Sequence, residues 1–160
     1  MVETLIYRIW KSLTPDPRYL RPNRWAQIKS VIIDNRVRTV LEFGSGVSTM
    51  LFDSLRLKVL SFETDFEYLK LITPYCSSDI TFVSWDNLST KIRGRFDLAL
   101  VDGALPRRRQ LELAILTSNI IAIDDYEDEE IKKELSVYLN NFERIDDMST
   151  VLAIFRRKRG

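Results

Sequence analysis

The sequence predicts an α/β fold: a doubly wound, mostly parallel sheet with helices on both faces and an antiparallel hairpin near its end. From Thr39 onward, short apolar segments alternate with segments of helical periodicity. The apolar segments show little polar alternation, which is typical of strands buried on both faces of a parallel sheet. Right-handed crossovers between such strands give a doubly wound arrangement.

This alternation assigns five strands, four helices and a closing hairpin to the second part of the chain. The predicted strands are Thr39–Phe43, Val59–Glu63, Ile80–Trp85, Phe96–Val101 and Asn119–Asp124. The predicted helices are Val47–Leu55, Phe66–Tyr75, Pro106–Leu116 and Glu127–Asn140. Two further strands, Phe142–Ile145 and Val151–Phe155, follow each other without a helix and so predict the hairpin.

The first 37 residues have a different pattern, with two helical segments joined by a proline-rich hinge. The first helix places five apolar residues on one face: Leu5, Ile6, Ile9, Trp10 and Leu13. The second helix is predicted to begin after an Asn23 N-cap. Its inner face carries Trp25, Ile28, Val31 and Ile32. We expect one domain over residues 1–160, with 1–37 as a helical cap or lid and 38–157 as a Rossmann-like core.

Composition excludes several kinds of chemistry. The chain has no histidine, which excludes Ser-His-Asp catalysis, a histidine base and histidine-based metal sites. The net charge of +1 gives no general attraction to nucleic acid or to an anionic membrane. Cys76 is the only cysteine, and no apolar run is long enough to span a membrane. We therefore expect a cytoplasmic protein without an internal disulfide.

Acidic residues accompany the carboxyl ends of all five predicted parallel strands, the edge at which open α/β sheets bind ligands. Gly44-Ser45-Gly46 lies between the first strand and a helix, where glycines permit a tight turn and close approach to a ligand. Glu63 ends the next strand, 19 residues after Gly44, close to the spacing of a ribose-binding acid. A plain turn beside a solvated glutamate is the alternative, and the strand–turn–helix context favours a nucleotide site.

Residues 37–157 resemble the class I S-adenosylmethionine-dependent methyltransferases, strand order included. Val40–Thr49 resembles the first motif of that family, and Ser61–Glu63 resembles the second. Trp85–Asn87 and Phe96–Gly103 resemble the third and fourth. Thr49 stands where dinucleotide-binding oxidoreductases more often have a third glycine, which disfavours that class.

The resemblance implies S-adenosylmethionine as the cofactor. The glycine loop would lie against its methionine part, Glu63 would hold the ribose hydroxyls, and Trp85 and Asp86 would contact the adenine. The implied cofactor-binding residues are Glu42, Gly44, Ser45, Gly46, Ser48, Thr49, Glu63, Trp85, Asp86 and Asp102. Asp102 is predicted to lie closest to the transferred methyl group and to be the catalytic residue.

Three carboxylates, Asp102, Asp124 and Asp125, follow neighbouring predicted strands. Catechol-type O-methyltransferases hold Mg²⁺ at such positions, with an asparagine in the third place. The resemblance therefore implies a metal site here. In the alternative, Asp125 caps the following helix and Asp102 faces the sulfonium without a metal.

Arginines suggest a basic rim for an anionic acceptor. The predicted rim is Arg107, Arg108 and Arg109, joined by Arg18, Arg21 and Arg24. A basic tail, Arg156–Arg159, would extend this rim into a surface that binds nucleic acid. The favoured interpretation is that all these arginines are solvated charges without a ligand. The aromatic residues Tyr7, Trp10, Tyr19 and Trp25 form either an acceptor pocket or part of the core.

The predicted function is methyl transfer from S-adenosylmethionine to an oxygen or nitrogen nucleophile on a small-molecule or macromolecular acceptor. The alternative is a catalytically degenerate methyltransferase fold that binds the cofactor, nucleic acid or a protein partner. The apolar face of the first helix would either form an oligomer interface or pack on the sheet of the same chain.

Overall fold

The computed structural model describes residues 2–14, 19–77, 79–84, 92–102, 107–126, 129–146 and 151–159. Residues 15–17 of the predicted hinge Thr14–Pro17 and the predicted third-motif residues 85–87 lie outside these ranges. No described helix is both long and apolar enough to cross a membrane.

The described helices are α1 (Val2–Leu13), α2 (Pro22–Asp34), α3 (Val47–Ser54), α4 (Phe66–Ile72), α5 (Arg107–Thr117) and α6 (Glu129–Ser136). Short 3₁₀ turns at Thr73–Tyr75 and Val137–Leu139 extend α4 and α6. The described strands are β1 (Thr39–Phe43), β2 (Lys58–Glu63), β3 (Ile80–Ser84), β4 (Phe96–Val101), β5 (Ser118–Asp124), β6 (Phe142–Arg144) and β7 (Leu152–Arg157). These bounds fall within a few residues of the predicted ones.

The seven described strands form one sheet in the order β3-β2-β1-β4-β5-β7-β6. Strands β1 to β5 are parallel, and β7 runs antiparallel to both β5 and β6. This arrangement confirms the predicted doubly wound sheet with its antiparallel hairpin. The strand order reverses between β1 and β4, and an open α/β sheet forms its ligand crevice at such a point.

Strand register brings the predicted site residues side by side. Phe43 at the end of β1 pairs with Phe62 of β2 and with Val101 of β4. Val101 in turn pairs with Ile123 of β5. The next residue of each strand therefore falls in one row across the sheet edge. That row is Glu63, Gly44, Asp102 and Asp124.

Side chains alternate between two apolar clusters, one on each face of the sheet. Val40, Leu98 and Ala122 pack with α1, α2 and α3 on one face. Leu41 and Ala99 pack with α5 and the region around α6 on the other. Because both faces are covered, the strands read as nearly continuous apolar runs in the sequence. The N-terminal helices thus share a core with the sheet.

Two details of the predicted N-terminal helices are wrong. Helix α2 begins at Pro22, with Arg21 in the N-cap position, because a proline ring fixes a backbone angle suited to the first helical residue. Asn23 therefore lies inside the helix. In α1, Leu5 is 57% exposed, whereas Tyr7 is buried and donates a hydrogen bond to the Leu20 carbonyl at 3.0 Å.

Trp25 anchors α2 to the core. Its side chain is buried and its ring meets that of Phe52 on α3 edge to face, with centroids 5.5 Å apart. Its indole Nε1 donates to the Glu3 carboxylate at 3.1 Å, and the same carboxylate accepts from Lys29 at 2.7 Å. A buried tryptophan needs a hydrogen-bond acceptor for its indole N–H group, and Glu3 supplies one for Trp25.

We expect Trp25→Ala to lower the free energy of unfolding by about 3–5 kcal/mol, because it removes a large buried side chain. Ile33→Ala is the matched control, since Ile33 lies on the same helix and is 61% exposed. Urea denaturation followed by circular dichroism measures both. Equal effects of the two substitutions would show that α2 does not depend on the Trp25 contact.

Candidate functional site

A cavity of about 680 Å³ opens at the carboxyl edge of the sheet, where the strand order reverses. It is lined by the glycine loop, by the ends of β2, β4 and β5, and by residues of the N-terminal segment. Its volume lies within the usual range for cofactor sites. A second cavity, of about 570 Å³, lies between α1 and α2 and contains none of the predicted cofactor or metal residues. Three of the aromatic residues predicted to form an acceptor pocket or part of the core line it: Tyr7, Tyr19 and Trp25.

The glycine loop shapes one side of this cavity. Gly44 has a φ of 95°, a left-handed conformation that glycine adopts without strain, and its N–H donates to the Phe62 carbonyl at 2.9 Å. Gly46 has an extended backbone. A Cβ atom at Gly46 would lie 3.6 Å from Trp10 and from the Tyr68 hydroxyl, which both line the cavity. The absent side chain therefore keeps this part of the cavity open.

Glu42 lies beneath the loop, fully buried, and does not line the cavity. Its Oε2 accepts hydrogen bonds from the Thr49 hydroxyl at 2.7 Å and the Ser61 hydroxyl at 2.6 Å. Thr49 accepts from the Gly46 N–H at 2.8 Å, and the Ser61 hydroxyl lies 2.7 Å from that of Ser45. Glu42 thus holds the loop from two sides through hydroxyl groups. Burial raises the pKa of Glu42 to about 7, although these hydroxyl donors oppose the rise.

Glu63 links the end of β2 to the same loop. Its Oε2 accepts from the Ser45 N–H at 3.0 Å, and its Oε1 accepts from the N–H groups of Thr64 and Asp65 at 2.6 and 3.0 Å. Asp65 caps α4 by accepting from the N–H groups of the first turn. The carboxylate of Glu63 is therefore fixed in orientation at the cavity wall.

The carboxylates of Asp102, Asp124 and Asp125 gather at the opposite side, with ligand oxygens within 4.8 Å of one another. Arg24 of α2 reaches into this cluster. Its Nη1 lies 2.7 and 2.8 Å from the two oxygens of Asp124 and 2.9 Å from Asp125 Oδ1. Arg107 lies 3.7 Å from Asp125 and also donates to the Asp124 carbonyl.

Asp125 and Asp102 sit in unusual environments within this cluster. Asp125 has a φ of 54°, and aspartate tolerates this left-handed conformation better than most residues. Burial raises the pKa of Asp102 well above its ordinary value, the nearby Asp124 carboxylate adds to the rise, and Arg107 opposes it. Burial also raises the pKa of Asp124 against the opposing charge of Arg24.

The structure separates the predicted site residues into groups. Nine of the predicted cofactor, metal and Arg107–Arg109 residues line the cavity: Gly44, Ser45, Gly46, Ser48, Glu63, Asp102, Arg107, Asp124 and Asp125. Glu42 and Thr49 are buried beneath the loop. Trp85, Asp86 and Arg18 lie outside the described residues.

The remaining predicted basic residues have other partners. Arg108 and Arg109 pair with Glu112 on their own helix and do not line the cavity. In the tail, Arg156 pairs with Glu143, and the Arg157 guanidinium lies over the Phe142 ring. Arg108, Arg109 and Arg156 are exposed, as the favoured interpretation of solvated charges expects. Arg157 is part-buried in β7 and donates to the Ile115 and Ser118 carbonyls, so the tail is not solvated at this residue.

Two features of the site were not predicted. Arg24 was grouped with the basic rim, but it pairs with Asp124, from which 100 residues separate it in the chain. No local pattern marks a contact at that separation. Tyr68 of α4 also lines the cavity, and its ring meets that of Trp10 edge to face at 5.4 Å. Asp65 caps α4 and so fixes where this helix begins, which places Tyr68 in its first turn, beside the cavity. This capping residue was the signal in the sequence from which the position of Tyr68 could have been predicted.

No protein-family model matches the chain, and no curated protein sequence matches it. Solved structures do match. The chain is similar to a candidate caffeoyl-CoA O-methyltransferase from Staphylococcus aureus, at 13% identity and a TM-score of 0.80, over 99% of this chain and 93% of that one. The predicted resemblance to class I S-adenosylmethionine-dependent methyltransferases is therefore confirmed at the level of the fold.

Two further structures carry the same fold. An O-methyltransferase from Bacillus cereus in complex with SAH matches at 12% identity and a TM-score of 0.73, over 98% of this chain and 90% of that one. The N-methyltransferase NodS from Bradyrhizobium japonicum, also in complex with S-adenosylhomocysteine, matches at 14% identity and a TM-score of 0.65. That match covers 94% of this chain and 99% of NodS. The fold therefore extends over nearly the full length of each protein.

The raised pKa of Glu42 predicts a pH-dependent stability. Its ordinary value is 4.5 and its folded value is about 7, so between these values the folded state binds more protons than the unfolded state. The free energy of unfolding therefore falls as pH rises through this window. We expect Glu42 to contribute about 2–3 kcal/mol of the fall between pH 5 and pH 8.

Glu42→Gln should reduce this fall, because glutamine keeps an acceptor for Thr49 and Ser61 but does not ionise. Urea denaturation at pH 5 and pH 8 measures the difference. Glu143→Gln, on the exposed hairpin, is the control. An unchanged pH dependence in Glu42→Gln would show that Glu42 does not titrate in this range.

Proposed function

We propose that this protein transfers a methyl group from S-adenosylmethionine to an oxygen or nitrogen nucleophile. The observation that carries this proposal is the strand register, which aligns Glu63, Gly44 and Asp102 along the wall of one cavity. A loop that admits close approach, a fixed carboxylate on the next strand and an acid on the third are the groups that the cofactor requires.

The charge of the cavity supports a cationic ligand. Carboxyl groups outnumber guanidinium groups among its described lining residues: Glu63, Asp65, Asp102, Asp124 and Asp125 against Arg21, Arg24 and Arg107. S-adenosylmethionine, when bound, supplies an electrophilic methyl group on a positively charged sulfur. Acidic groups in a partly enclosed cavity would favour such a charge.

Glu63 would hold the ribose. Its Oε1 already accepts from two backbone N–H groups and the Thr64 hydroxyl, whereas among the described residues Oε2 accepts only from the Ser45 N–H. Oε2 therefore retains acceptor capacity for a ribose hydroxyl. Because the same oxygen contacts Ser45, ribose binding and the shape of the glycine loop would be coupled.

The remaining residues would position the reacting groups. The open space at Gly46 would admit the methionine part, and Asp102 would lie nearest the methyl group. Holding the nucleophile, methyl carbon and sulfur in line accounts for much of the rate enhancement available to such a reaction. Catalysis would then depend chiefly on positioning.

The acceptor would enter beside the N-terminal segment, because Trp10, Tyr19 and Leu20 line the same cavity. Arg21 also lines it, is exposed and has no ion-pair partner among the described residues. An anionic group on the acceptor would pair with Arg21, since Arg24 and Arg107 already pair with aspartates. We therefore propose an acceptor with a negative charge.

We expect calorimetric titration to show that the wild type binds S-adenosylhomocysteine and S-adenosylmethionine. Glu63→Gln should weaken both affinities about 10–100-fold, because it replaces a charged hydrogen-bond acceptor by a neutral one. Glu112→Gln is the matched control, as Glu112 lies on α5 and does not line the cavity. Absence of binding to the wild type would overturn the proposed function and favour a degenerate binding module.

Gly46→Ala separates folding from ligand binding. The added Cβ would make ordinary van der Waals contacts at 3.6 Å, and the extended backbone accepts alanine, so thermal stability should be nearly unchanged. Its methyl group would occupy cavity space, and we expect the affinity for S-adenosylhomocysteine to fall at least about tenfold, the equivalent of about 1.4 kcal/mol. Undiminished affinity in a folded Gly46→Ala protein would place the ligand elsewhere.

A further inference from the structure

The acidic cluster has the composition of a divalent cation site. Asp102, Asp124 and Asp125 offer carboxylate oxygens within 4.8 Å of one another, and hard cations prefer such ligands. A cation held there would need oxygens of at least two of these residues to face it together. The surroundings of those oxygens decide whether the cluster can accept one.

Arg24 already lies between the carboxylates of Asp124 and Asp125. A single nitrogen, Nη1, contacts both oxygens of Asp124 and one of Asp125 at 2.7–2.9 Å. Arg107 approaches the other oxygen of Asp125 at 3.7 Å. These carboxylates are thus turned toward guanidinium groups, and a divalent ion among them would be repelled by two positive charges.

The contact is built into the fold. Arg24 lies between Pro22, which begins α2, and Trp25, which is buried against Phe52. The Arg24 and Asp124 side chains are only 15% and 4% exposed. A positive charge in the first turn of a helix is unfavourable with respect to the helix dipole, so the carboxylates supply its compensation.

We infer that Arg24 takes the place of a divalent cation at Asp124 and Asp125, so that this site works without a bound metal. The inference rests on the proposed function where it concerns methyl transfer. Without a metal, the acceptor needs no second oxygen for chelation, and a single nucleophilic atom suffices. Arg24 is then a positioning residue that fixes both carboxylates and attaches α2 to the site.

The affinity of the protein for Mn²⁺, measured by electron paramagnetic resonance, tests the inference without cofactor or acceptor. We expect the wild type to show no stoichiometric Mn²⁺ site at submillimolar concentration. Arg24→Ala should free the carboxylates and raise Mn²⁺ affinity at least about tenfold, and the added change Asp125→Ala, which removes the ligand oxygen altogether, should abolish the gain. Arg144→Ala, which removes another arginine–aspartate pair away from the cavity, should behave as the wild type.

A wild-type Mn²⁺ site that Asp125→Ala removes would overturn the inference, and so would an Arg24→Ala protein that is folded but gains no affinity. Should Arg24→Ala fail to fold because Asp124 is left unpaired, the wild type and Asp125→Ala still decide the question. Titration with S-adenosylhomocysteine is a separate measurement. A failure of the proposed function can therefore be distinguished from a failure of the inference about Arg24. An affinity for S-adenosylhomocysteine that is equal in Mg²⁺ and in a chelator is also expected.

Discussion

The reversal of strand order between β1 and β4 is the constraint on which the rest of the site depends. Parallel pairing leaves the carboxyl ends of β2, β1, β4 and β5 at one edge, and their register places Glu63, Gly44, Asp102 and Asp124 in one row. Backbone hydrogen bonds within a buried sheet hold this row. The chemistry of the edge therefore follows from which residue stands at the end of each strand or directly after it.

Side-chain contacts then fix the orientation of the loop and of the carboxylates that the sheet brings to this edge. Glu42 fixes the glycine loop from below through Thr49 and Ser61, so one buried carboxylate determines the shape of a loop that it does not reach directly. On the other side, Arg24 orients Asp124 and Asp125. Both arrangements use charged groups within or beside the core, where each charge needs its partners.

The sequence was most informative where a local pattern has one structural meaning. Short apolar runs between helices predicted the five parallel strands, and Gly44-Ser45-Gly46 predicted the loop, because Gly44 adopts a conformation that favours glycine. Acids at the strand ends were expected to gather, since parallel strands end at one edge. These predictions needed only periodicity and topology.

The sequence was less informative where a contact depends on side-chain direction or on distant segments. The pairing of Arg24 with Asp124 requires α2 to dock beside β5, which no local pattern specifies. Glu42 was expected near the cofactor, but its position on β1 turns it beneath the loop into a buried network. Asn23 is a good capping residue, yet Pro22 begins the helix one residue earlier. The first two outcomes depend on tertiary packing, whereas at Asn23 a competing local preference, that of proline for the first helical position, prevailed.

A crystal structure of the protein grown with S-adenosylhomocysteine is the most direct measurement. We expect the ligand in the cavity at the carboxyl edge of the sheet, with its ribose on Glu63 and its amino-acid part against Gly44 and Gly46. Density for the ligand at another surface, or a cavity that stays empty at millimolar ligand, would contradict the assignment of this edge as a cofactor site.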